Sequence, residues 1–480
     1  MDLDSKPRSR RRYLAAGGLA GVTTLAAVGL LVNGSPVALP KLAGTAAAAQ
    51  QATAGSKSAD DNGKDEKQPK EAEVPCDPDE LIAAIVHANA NRGARLKLEP
   101  KCRYTLTAFQ DDNGLPVITQ RISIEGNGAT IVRAANAEAF RIFNVASGGD
   151  LELRDLTVKG GDSQTDAGGG ALLVQEGGRA TLVDTTLTLN RSASFGGAIA
   201  NHGITKVLGD GHGKDSDARG TGSQVRNNSA GAGGGIYSTG SLTVERSRLS
   251  YNTAEFFGAG LKNSGGVTNI TSARIDHNVS ANDSGGIEAE GSAITRVKDS
   301  RVNNNTSGGA GGGIGNFGAT LYVQHTNLRH NTADSDGGGI SNVSGLAVVE
   351  DSKVNDNTSR AFGGGIANSV VEIVPLHTGR NLAGIANDDA EVVVRRTEIN
   401  KNRAVGAGAD SQGGGIANFN HASVSLTRSE VIENLTTNPP GGIFSRVSQV
   451  TVDDDSVIIK NRPTNCQGNP PGVVIPNCFG

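Results

Sequence analysis

Short runs of alternating apolar and polar residues, separated by glycine-rich and polar turns, recur from about residue 169 to residue 461. In the unit GGGISNVSGLAVVEDSKVNDNTSRAF, which starts at Gly337, the apolar residues Leu346, Val348 and Val354 lie in such runs and form no helical stripe. Alternation with a period of two is typical of a β-strand that is buried on one face. The pattern therefore predicts a series of short strands joined by turns.

Two marks repeat together along this part of the chain, mostly at intervals of 25 to 27 residues. One is the apolar residue that follows the glycines, and the other is an asparagine with an aliphatic residue three positions before it. The first mark falls at Leu172, Ile199, Ile236, Leu261, Ile287, Ile314, Ile340, Ile366, Ile385, Ile416 and Ile443. The second falls at Asn190, Asn228, Asn252, Asn278, Asn305, Asn331, Asn357, Asn402, Asn434 and Asn461. Repeats of this length indicate a solenoid.

Each repeat is predicted to form one coil of three short parallel strands, stacked about 4.8 Å from the next coil. Glycine triplets oppose the helix that a leucine-rich repeat of similar period needs. A calcium-binding nonapeptide roll requires a period of nine residues and acidic positions that are missing. Equivalent residues should therefore stack in ladders. Asn305, Asn331 and Asn357 are expected to adopt the left-handed conformation at a corner and to hydrogen-bond the neighbouring coil.

These repeats resemble those of right-handed parallel β-helix proteins of the pectin-lyase-like class, and specifically the repeats of polymorphic outer-membrane proteins. Those repeats are built on Gly-Gly-Ala-Ile and Phe-x-x-Asn, and this chain has GGAI at residues 196–199 but Leu, Val or Ile in place of Phe. The resemblance covers roughly residues 140–461. It implies an all-β fold, a single-stranded right-handed parallel β-helix of three sheets, in a secreted protein.

Both ends of the repeats carry features of caps, which solenoids need to cover their unpaired edges. Residues 78–90 suit an N-terminal capping helix, with Asp77 as N-cap and Pro78 at the first helical position. The predicted domains are residues 1–48 (twin-arginine-type signal peptide or anchor), 49–75 (disordered linker), 76–135 (N-terminal cap and first coils), 136–462 (β-helix repeats) and 463–480 (C-terminal cap).

The N-terminus and the cysteines both indicate export from a bacterial cell. SRRRYLAAGGLAGVTTLAAVGLLV places consecutive arginines before an apolar run, as in a twin-arginine signal, and a single membrane anchor is the alternative. Four cysteines allow three pairings, and we favour the local ones, Cys76 with Cys102 and Cys466 with Cys478. The protein is therefore expected outside the cell or on its surface, with membrane contact only through an uncleaved N-terminal segment.

Composition excludes several function classes. The net charge of −4 is nearly balanced, which argues against a nucleic-acid partner. No cofactor is expected, and the cysteine spacing does not suit zinc. The absence of Trp weakens binding of neutral sugars by stacking, whereas acidic glycans remain compatible with Arg and Lys side chains. A monomer is expected.

The interval of 37 residues between Ile199 and Ile236 contains an insertion, LGDGHGKDSDARGTG, that is the best candidate for catalysis. Paired carboxylates there could serve as acid and base in glycoside hydrolysis, and a lyase would use carboxylates for Ca²⁺ with an Arg or Lys base. The ordered catalytic phrases of polygalacturonases and pectate lyases are missing. The candidate residues are Asp210, His212, Asp215, Asp217 and Arg219.

A second irregularity brings Asp388, Asp389, Arg395 and Arg396 near the wall of the solenoid, where ion pairing explains them equally well. Stacking of equivalent residues in ladders explains nearly every residue that recurs from repeat to repeat. We therefore expect a non-catalytic exported rod that serves in adhesion or binds cell-wall or acidic glycans. A polysaccharide lyase or glycoside hydrolase is the alternative.

Overall fold

A computed structural model describes residues 71–210, 222–370, 389–406, 411–469 and 474–479. The predicted signal segment, residues 1–48, lies outside these ranges, as does most of the predicted linker. None of the helical residues that are described forms an apolar segment of membrane-spanning length. The predicted fold class, an all-β parallel solenoid of three sheets, is confirmed.

One coil contains four short strands instead of the predicted three, as residues 340–359 illustrate. The first strand, Ile340–Val343, belongs to sheet 1, and the last, Thr358–Ser359, belongs to sheet 3. Between them, Leu346–Glu350 and Lys353–Asn355 both belong to sheet 2. They are separate because Asp351, with φ of 49°, turns the chain at that point. Sheet 2 therefore has two ladders of strands that meet at a corner.

All strand pairs between successive coils are parallel, and equivalent residues of the repeat lie in register. Sheet 1 has 12 strands: Phe143–Val145, Leu172–Val174, Ile199–Asn201, Ile236–Ser238, Leu261–Ser264, Ile287–Glu290, Ile314–Phe317, Ile340–Val343, Ile366–Ser369, Ile416–Phe419, Ile443–Arg446 and Cys466–Asn469. Sheet 3 has 10 strands: Asp162–Ser163, Arg191–Ser192, Ser229–Ala232, Thr253–Phe257, Val279–Ser280, Thr306–Ser307, Thr332–Ala333, Thr358–Ser359, Arg403–Ala404 and Leu435–Thr436.

Among the described residues, sheet 2 has 25 strands. It opens with Glu71–Val74, Ala94–Leu98, Arg103–Leu106, Arg121–Arg133 and Asp150–Lys159. Its first ladder then contains Arg179–Val183, Ile204–Leu208, Ser241–Glu245, Val267–Thr271, Ile294–Lys298, Thr320–Gln324, Leu346–Glu350, Glu391–Arg395, Ser423–Thr427 and Gln449–Val452. Its second ladder contains Thr186–Thr188, Gln224–Arg226, Arg248–Ser250, Arg274–Asp276, Arg301–Asn303, Asn327–Arg329, Lys353–Asn355, Glu398–Asn400, Glu430–Ile432 and Val457–Ile459.

The strand of sheet 1 that begins at Ile366 pairs directly with the strand that begins at Ile416. In sheet 2, strand Glu391–Arg395 likewise pairs with Leu346–Glu350 of the preceding coil. The repeat mark predicted at Ile385 lies outside the described residues.

The N-terminal cap begins earlier than predicted. Strand Glu71–Val74 pairs with Ala94–Leu98, so the end of the range expected to be a disordered linker is part of sheet 2. The capping helix, Pro78–Ala90, forms where the sequence predicts it, and the Asp77 carboxylate accepts the Asp79 backbone N–H at 2.8 Å. Burial of one helix face closes this end of the core, through residues Leu81, Ile85 and Ala88.

Two disulfide bonds join the predicted local pairs, Cys76 with Cys102 and Cys466 with Cys478. The second lies in the range predicted as the C-terminal cap. Strand Cys466–Asn469 in that range pairs with Ile443–Arg446, so sheet 1 continues into it. Each disulfide therefore ties an end of the solenoid to nearby residues instead of joining the two ends.

The asparagine side chains stack along the corner between sheets 2 and 3. Asn331 is fully buried, its backbone N–H donates to Asn357 Oδ1 at 3.0 Å, and its Nδ2 donates to Asn357 Oδ1 and to the Val302 carbonyl. The left-handed conformation belongs to the preceding residue, as at His330 (φ 55°), and not to the asparagine as the sequence analysis predicted. The asparagine side chain satisfies backbone groups that this turn leaves unpaired.

Two further ladders were not recognised in the sequence. In sheet 1 the asparagine of Gly-Gly-Gly-Ile-x-Asn stacks on its equivalents, and Asn342 Nδ2 donates to Asn368 Oδ1 at 2.8 Å. At the corner inside sheet 2, Ser and Thr hydroxyls accept backbone N–H groups of the preceding coil, as Thr326 Oγ1 does from Ser300 at 3.3 Å. Polar ladders therefore hold three of the four turns of a coil around the aliphatic core, and the fourth, between sheets 3 and 1, contains the glycines.

Candidate functional site

The predicted catalytic insertion leaves the solenoid at the corner between the two ladders of sheet 2. Its ends are close together, because a Cβ added to Gly222 would lie 2.0 Å from the Gly209 Cα. Arg246 in the next coil donates its Nε–H to the Gly209 carbonyl at 3.0 Å. His212, Lys214, Asp215, Asp217 and Arg219 lie outside the described residues.

Asp210, the described member of that candidate set, is exposed and lies beside Asp184. Its backbone N–H donates to the Asp184 carboxylate at 3.2 Å. Burial raises the pKa of Asp184; the hydrogen bond from the Asp210 backbone opposes this shift, and the charge of Asp210 adds to it. Asp184 could not be recognised from the sequence as a neighbour of Asp210, because it belongs to the preceding coil.

The second predicted irregularity is largely an ion-pair arrangement. Arg396 bonds both carboxylate oxygens of Asp351 at 2.7 and 2.9 Å, and it also contacts Glu350. Arg395 and Asp389 are exposed, and Asp388 lies outside the described residues. Hydrogen bonding to Arg396 lowers the pKa of Asp351. Pairing between two coils therefore accounts for Arg396.

Six cations line the outer face of the second ladder of sheet 2, with one in each of six successive coils. Between the outward positions lie fully buried aliphatic residues such as Ile275 and Val302, so the cations point away from the core. We call this set the cationic strip. It consists of Arg226, Arg248, Arg274, Arg301, Arg329 and Lys353.

The strip has definite ends along the solenoid. In the preceding coil the equivalent outward residues are Thr186 and Thr188, which carry no charge. In the coil after Lys353 the register partner is Glu398, whose carboxylate accepts a hydrogen bond from Lys353 Nζ at 2.8 Å. The run of cations therefore covers part of the ladder and is not a property of the repeat as such.

Each strand of the strip also has a second outward position, usually occupied by a neutral hydrogen-bonding side chain. The exception is Asp276, which accepts two hydrogen bonds from Arg248 at 2.9 and 2.7 Å. This bonding to Asp276 raises the pKa of Arg248. The neutral residues are Gln224, Asn303, Asn327 and Asn355, which are partly exposed, and Ser250, which is buried.

Aromatic rings accompany the cations. Tyr251 is half exposed and stacks on His277 with ring centroids 4.9 Å apart, and the Arg248 guanidinium lies 6.0 Å from the Tyr251 ring. On the first ladder, Arg296 lies 5.5 Å from the exposed Tyr322 ring. Such rings can pack on apolar faces of a bound molecule next to a charged contact.

This arrangement carries an energetic cost. Arg248, Arg274 and Arg301 are direct register partners in neighbouring strands. Like charges directly opposite each other destabilise a sheet. Carboxylates of the protein relieve part of the repulsion within the strip, because Asp276 pairs with Arg248 and Asp356 pairs with Arg329 at 2.7 Å. A bound partner with regularly spaced negative charge would relieve more of it. The strip could not be predicted from the sequence, because register becomes visible only when the coils are stacked.

A different set of charges is buried on the outer side of sheet 1. Lys262 Nζ bonds Glu288 Oε1 at 2.7 Å and also contacts Glu290, and it lies 4.6 Å from the centre of the Phe257 ring. Burial alone lowers the pKa of Lys262, but attraction to Glu288 and Glu290 outweighs it and the net shift is upward. Elsewhere in the described strands of sheet 1 this register holds no charge: large residues occupy it at Leu173, Tyr237 and Phe444, and small ones at Ala200, Gly315, Ser341, Ala367 and Ala417.

Among the described residues, no group of three or more His, Cys, Asp and Glu side chains could hold a metal ion. The polar groups of the strip are mainly cations and amides, which suit an anionic or hydroxylated ligand. The strip is therefore the candidate binding site that the geometry supports best.

Comparison with known proteins shows fold similarity only. No protein-family model and no curated protein matches the chain. Among solved structures, the A-module of mannuronan C-5 epimerase AlgE6 from Azotobacter vinelandii has a TM-score of 0.41 at 13% identity and covers 79% of this chain and 94% of that chain. PfbA, a surface adhesin of Streptococcus pneumoniae, has a TM-score of 0.34 at 9% identity and covers 83% and 91%. The Dettilon tailspike protein has a TM-score of 0.31 at 11% identity and covers 81% and 66%.

Proposed function

We propose that this protein is an exported, non-catalytic β-solenoid that binds acidic glycans of a cell surface or cell wall through the cationic strip. The single observation that carries this proposal is the run of one cation per coil in six successive coils. An anionic polymer would neutralise a row of charges whose mutual repulsion otherwise disfavours the fold.

The chemistry of the strip favours a glycan over other polyanions. Amide and hydroxyl side chains such as Asn303 and Asn327 alternate with the cations and can hydrogen-bond sugar hydroxyls. Phosphates of duplex DNA repeat about every 3.4 Å per strand, which does not match a coil spacing of about 4.8 Å.

Location outside the cell supports the same proposal. Two disulfide bonds close the ends of the solenoid, and such bonds persist mainly in oxidising compartments. The arginine-rich N-terminus is expected to direct export. An exported solenoid with a cationic face would meet wall and surface glycans before any intracellular polyanion.

Binding of the purified chain to polygalacturonate at low ionic strength tests the proposal. We expect the double variant Arg274→Gln, Arg301→Gln to lose about tenfold or more in affinity, because charge-assisted hydrogen bonds contribute about 1.5 to 3 kcal/mol each. The matched control is Arg360→Gln, Arg403→Gln, which removes two exposed arginines on the side of sheet 3. Equal affinities of both double variants would contradict the strip as the site.

A second candidate function, cleavage of an acidic polysaccharide, is favoured by the Asp184 and Asp210 pair at the base of the insertion. Two neighbouring carboxyl groups can divide the roles of acid and base in glycoside cleavage. If the purified chain released oligosaccharides or unsaturated uronic acids, and Asp184→Asn with Asp210→Asn abolished release without unfolding, the non-catalytic proposal would be wrong. We expect no release.

A further inference from the structure

We infer that the cationic strip holds a linear polymer with a carboxylate on every sugar, lying parallel to the solenoid axis with one sugar per coil. This inference rests on the proposed function and adds the class, direction and length of the ligand. It follows from the spacing of the strip, from the side chains between the cations and from the position of its two ends.

The spacing of the cations comes from the hydrogen bonding of the sheet. Neighbouring strands lie about 4.8 Å apart, so six cations in successive strands span about 24 Å along the axis. The pitch is comparable to the length of one hexose unit in an extended polymer. A polymer with a carboxylate on every sugar would meet one cation per sugar, whereas one with a carboxylate on every second sugar would leave half of the cations unused.

The direction follows from how the charges are distributed. Along the axis the cations repeat in every coil, but within a single strand of the strip there is one cation and one other outward residue. A polymer lying along one strand, perpendicular to the axis, would therefore meet a single cation of the strip. A polymer lying along the axis would meet all six, and long-range attraction would hold it in that direction.

The alternation of the two outward positions provides a hydrogen-bonding partner beside most cations. In Arg301–Asn303 the cation comes first and the amide second, while in Asn327–Arg329 the order is reversed. The two positions are about 6.6 Å apart along the strand, which is within the reach of a flexible arginine. Each sugar can therefore place its carboxylate near a cation and its hydroxyls near an amide or hydroxyl side chain.

The ends of the strip limit the length of the bound segment. Thr186 and Thr188 offer no charge at one end. At the other end Glu398 pairs with Lys353, and Glu430 places a further negative charge at the same register in the following coil. Carboxylates beyond the sixth sugar would gain no cation and would approach acidic side chains. Affinity is therefore expected to grow with ligand length and then stop growing near six sugars.

Titration of the full chain with purified oligogalacturonates, from the disaccharide upward, tests this inference. We expect affinity to increase with each added sugar to about the hexamer and to change little afterwards. Hyaluronate oligomers of equal length, with one carboxylate per two sugars, should bind about tenfold or more weakly. Glu398→Gln should strengthen hexamer binding by releasing Lys353, and Arg403→Gln on sheet 3 should leave all affinities unchanged.

A variant at one end separates this inference from a general charge effect. Lys353→Gln should move the length at which affinity stops growing from six sugars to five, whereas Arg274→Gln in the middle should weaken every oligomer long enough to reach it. A plateau at two or three sugars, or equal affinity for hyaluronate, would overturn the one-sugar-per-coil arrangement while leaving acidic-glycan binding intact. No binding of any uronate polymer, or tighter binding of duplex DNA, would instead overturn the proposed function.

Discussion

The asparagine ladder inside the solenoid and the cationic strip outside it are built by the same rule, because both place equivalent residues in register from coil to coil. Inside, Asn331 and Asn357 each donate and accept, so every added coil satisfies its neighbour. Outside, Arg274 and Arg301 carry the same charge, so stacking brings repulsion. The first ladder runs through ten coils, whereas the second stops after six.

The difference shows how to separate structural from functional repetition in a solenoid. A repeat whose stacking stabilises the fold needs no other explanation, and it runs as far as the fold does. A repeat whose stacking destabilises the fold, and that covers only part of it, indicates a binding partner. The following changes test this distinction, starting with the largest expected effect.

We expect the largest loss of stability from a change at the buried charged residue Lys262. Lys262→Met leaves Glu288 buried without its cation, and we expect a loss of about 3 to 5 kcal/mol in the free energy of unfolding. Urea denaturation measures it. The double variant Lys262→Met, Glu288→Leu should recover much of this loss. If the single variant were as stable as the parent protein, the buried pair would contribute nothing.

The raised pKa of Lys262 predicts that the stability of the protein depends on pH in alkaline solution. Its folded pKa lies above the usual value of 10.5, so its contribution is fully present below pH 10.5 and is lost as the pH rises through the folded pKa. The difference in unfolding free energy between the parent protein and Lys262→Met should therefore shrink above pH 10.5. A difference that stayed constant to higher pH would contradict this linkage.

We expect the second-largest loss of stability from a change inside the asparagine ladder. Asn331→Ala removes the acceptor of the Asn305 N–H and the donor to the Val302 carbonyl, and we expect a loss of about 1 to 3 kcal/mol. Thermal or urea unfolding measures the change. Asn269→Ala, on the outer face of the first ladder of sheet 2, is the matched control and should change stability by less than about 0.5 kcal/mol.

The hydroxyl ladder should give a smaller effect. Thr326→Val keeps the shape of the side chain but leaves the Ser300 N–H without the acceptor it has now. We expect a loss of about 0.5 to 1.5 kcal/mol, less than for Asn331 because the Asn331 side chain also bonds the side chains of Asn305 and Asn357. The same unfolding measurement applies. A loss larger than that of Asn331→Ala would reverse the ranking of the two ladders.

An exterior ion pair should give the smallest effect. Arg396→Ala removes the contacts with Asp351 and Glu350 on the solvent side of the coil, and we expect no measurable change in unfolding free energy. The pKa of Asp351, which Arg396 now lowers, should rise toward its ordinary value in an NMR titration. An unchanged pKa would show that the pair does not form in solution.

Local patterns predicted much of the fold, but they failed where neighbouring coils decide the outcome. The capping helix follows from Asp77, Pro78 and the apolar face, which are all local. The fourth strand in each coil was missed because a single left-handed residue such as Asp351 causes the break. In the candidate site, Asp210 was recognised, but its neighbour Asp184 was not.

The sequence by itself determined the period, the parallel strands, the aliphatic core, the capping helix and the local cysteine pairs, because each depends on residues that are close together in the chain or repeat at a constant interval. Only the tertiary structure decided which residues of different coils become neighbours. Arg248 and Arg274 are 26 residues apart in sequence but adjacent in the sheet. The cationic strip therefore exists only after stacking, since the spacing that makes it a site is set by hydrogen bonds between coils.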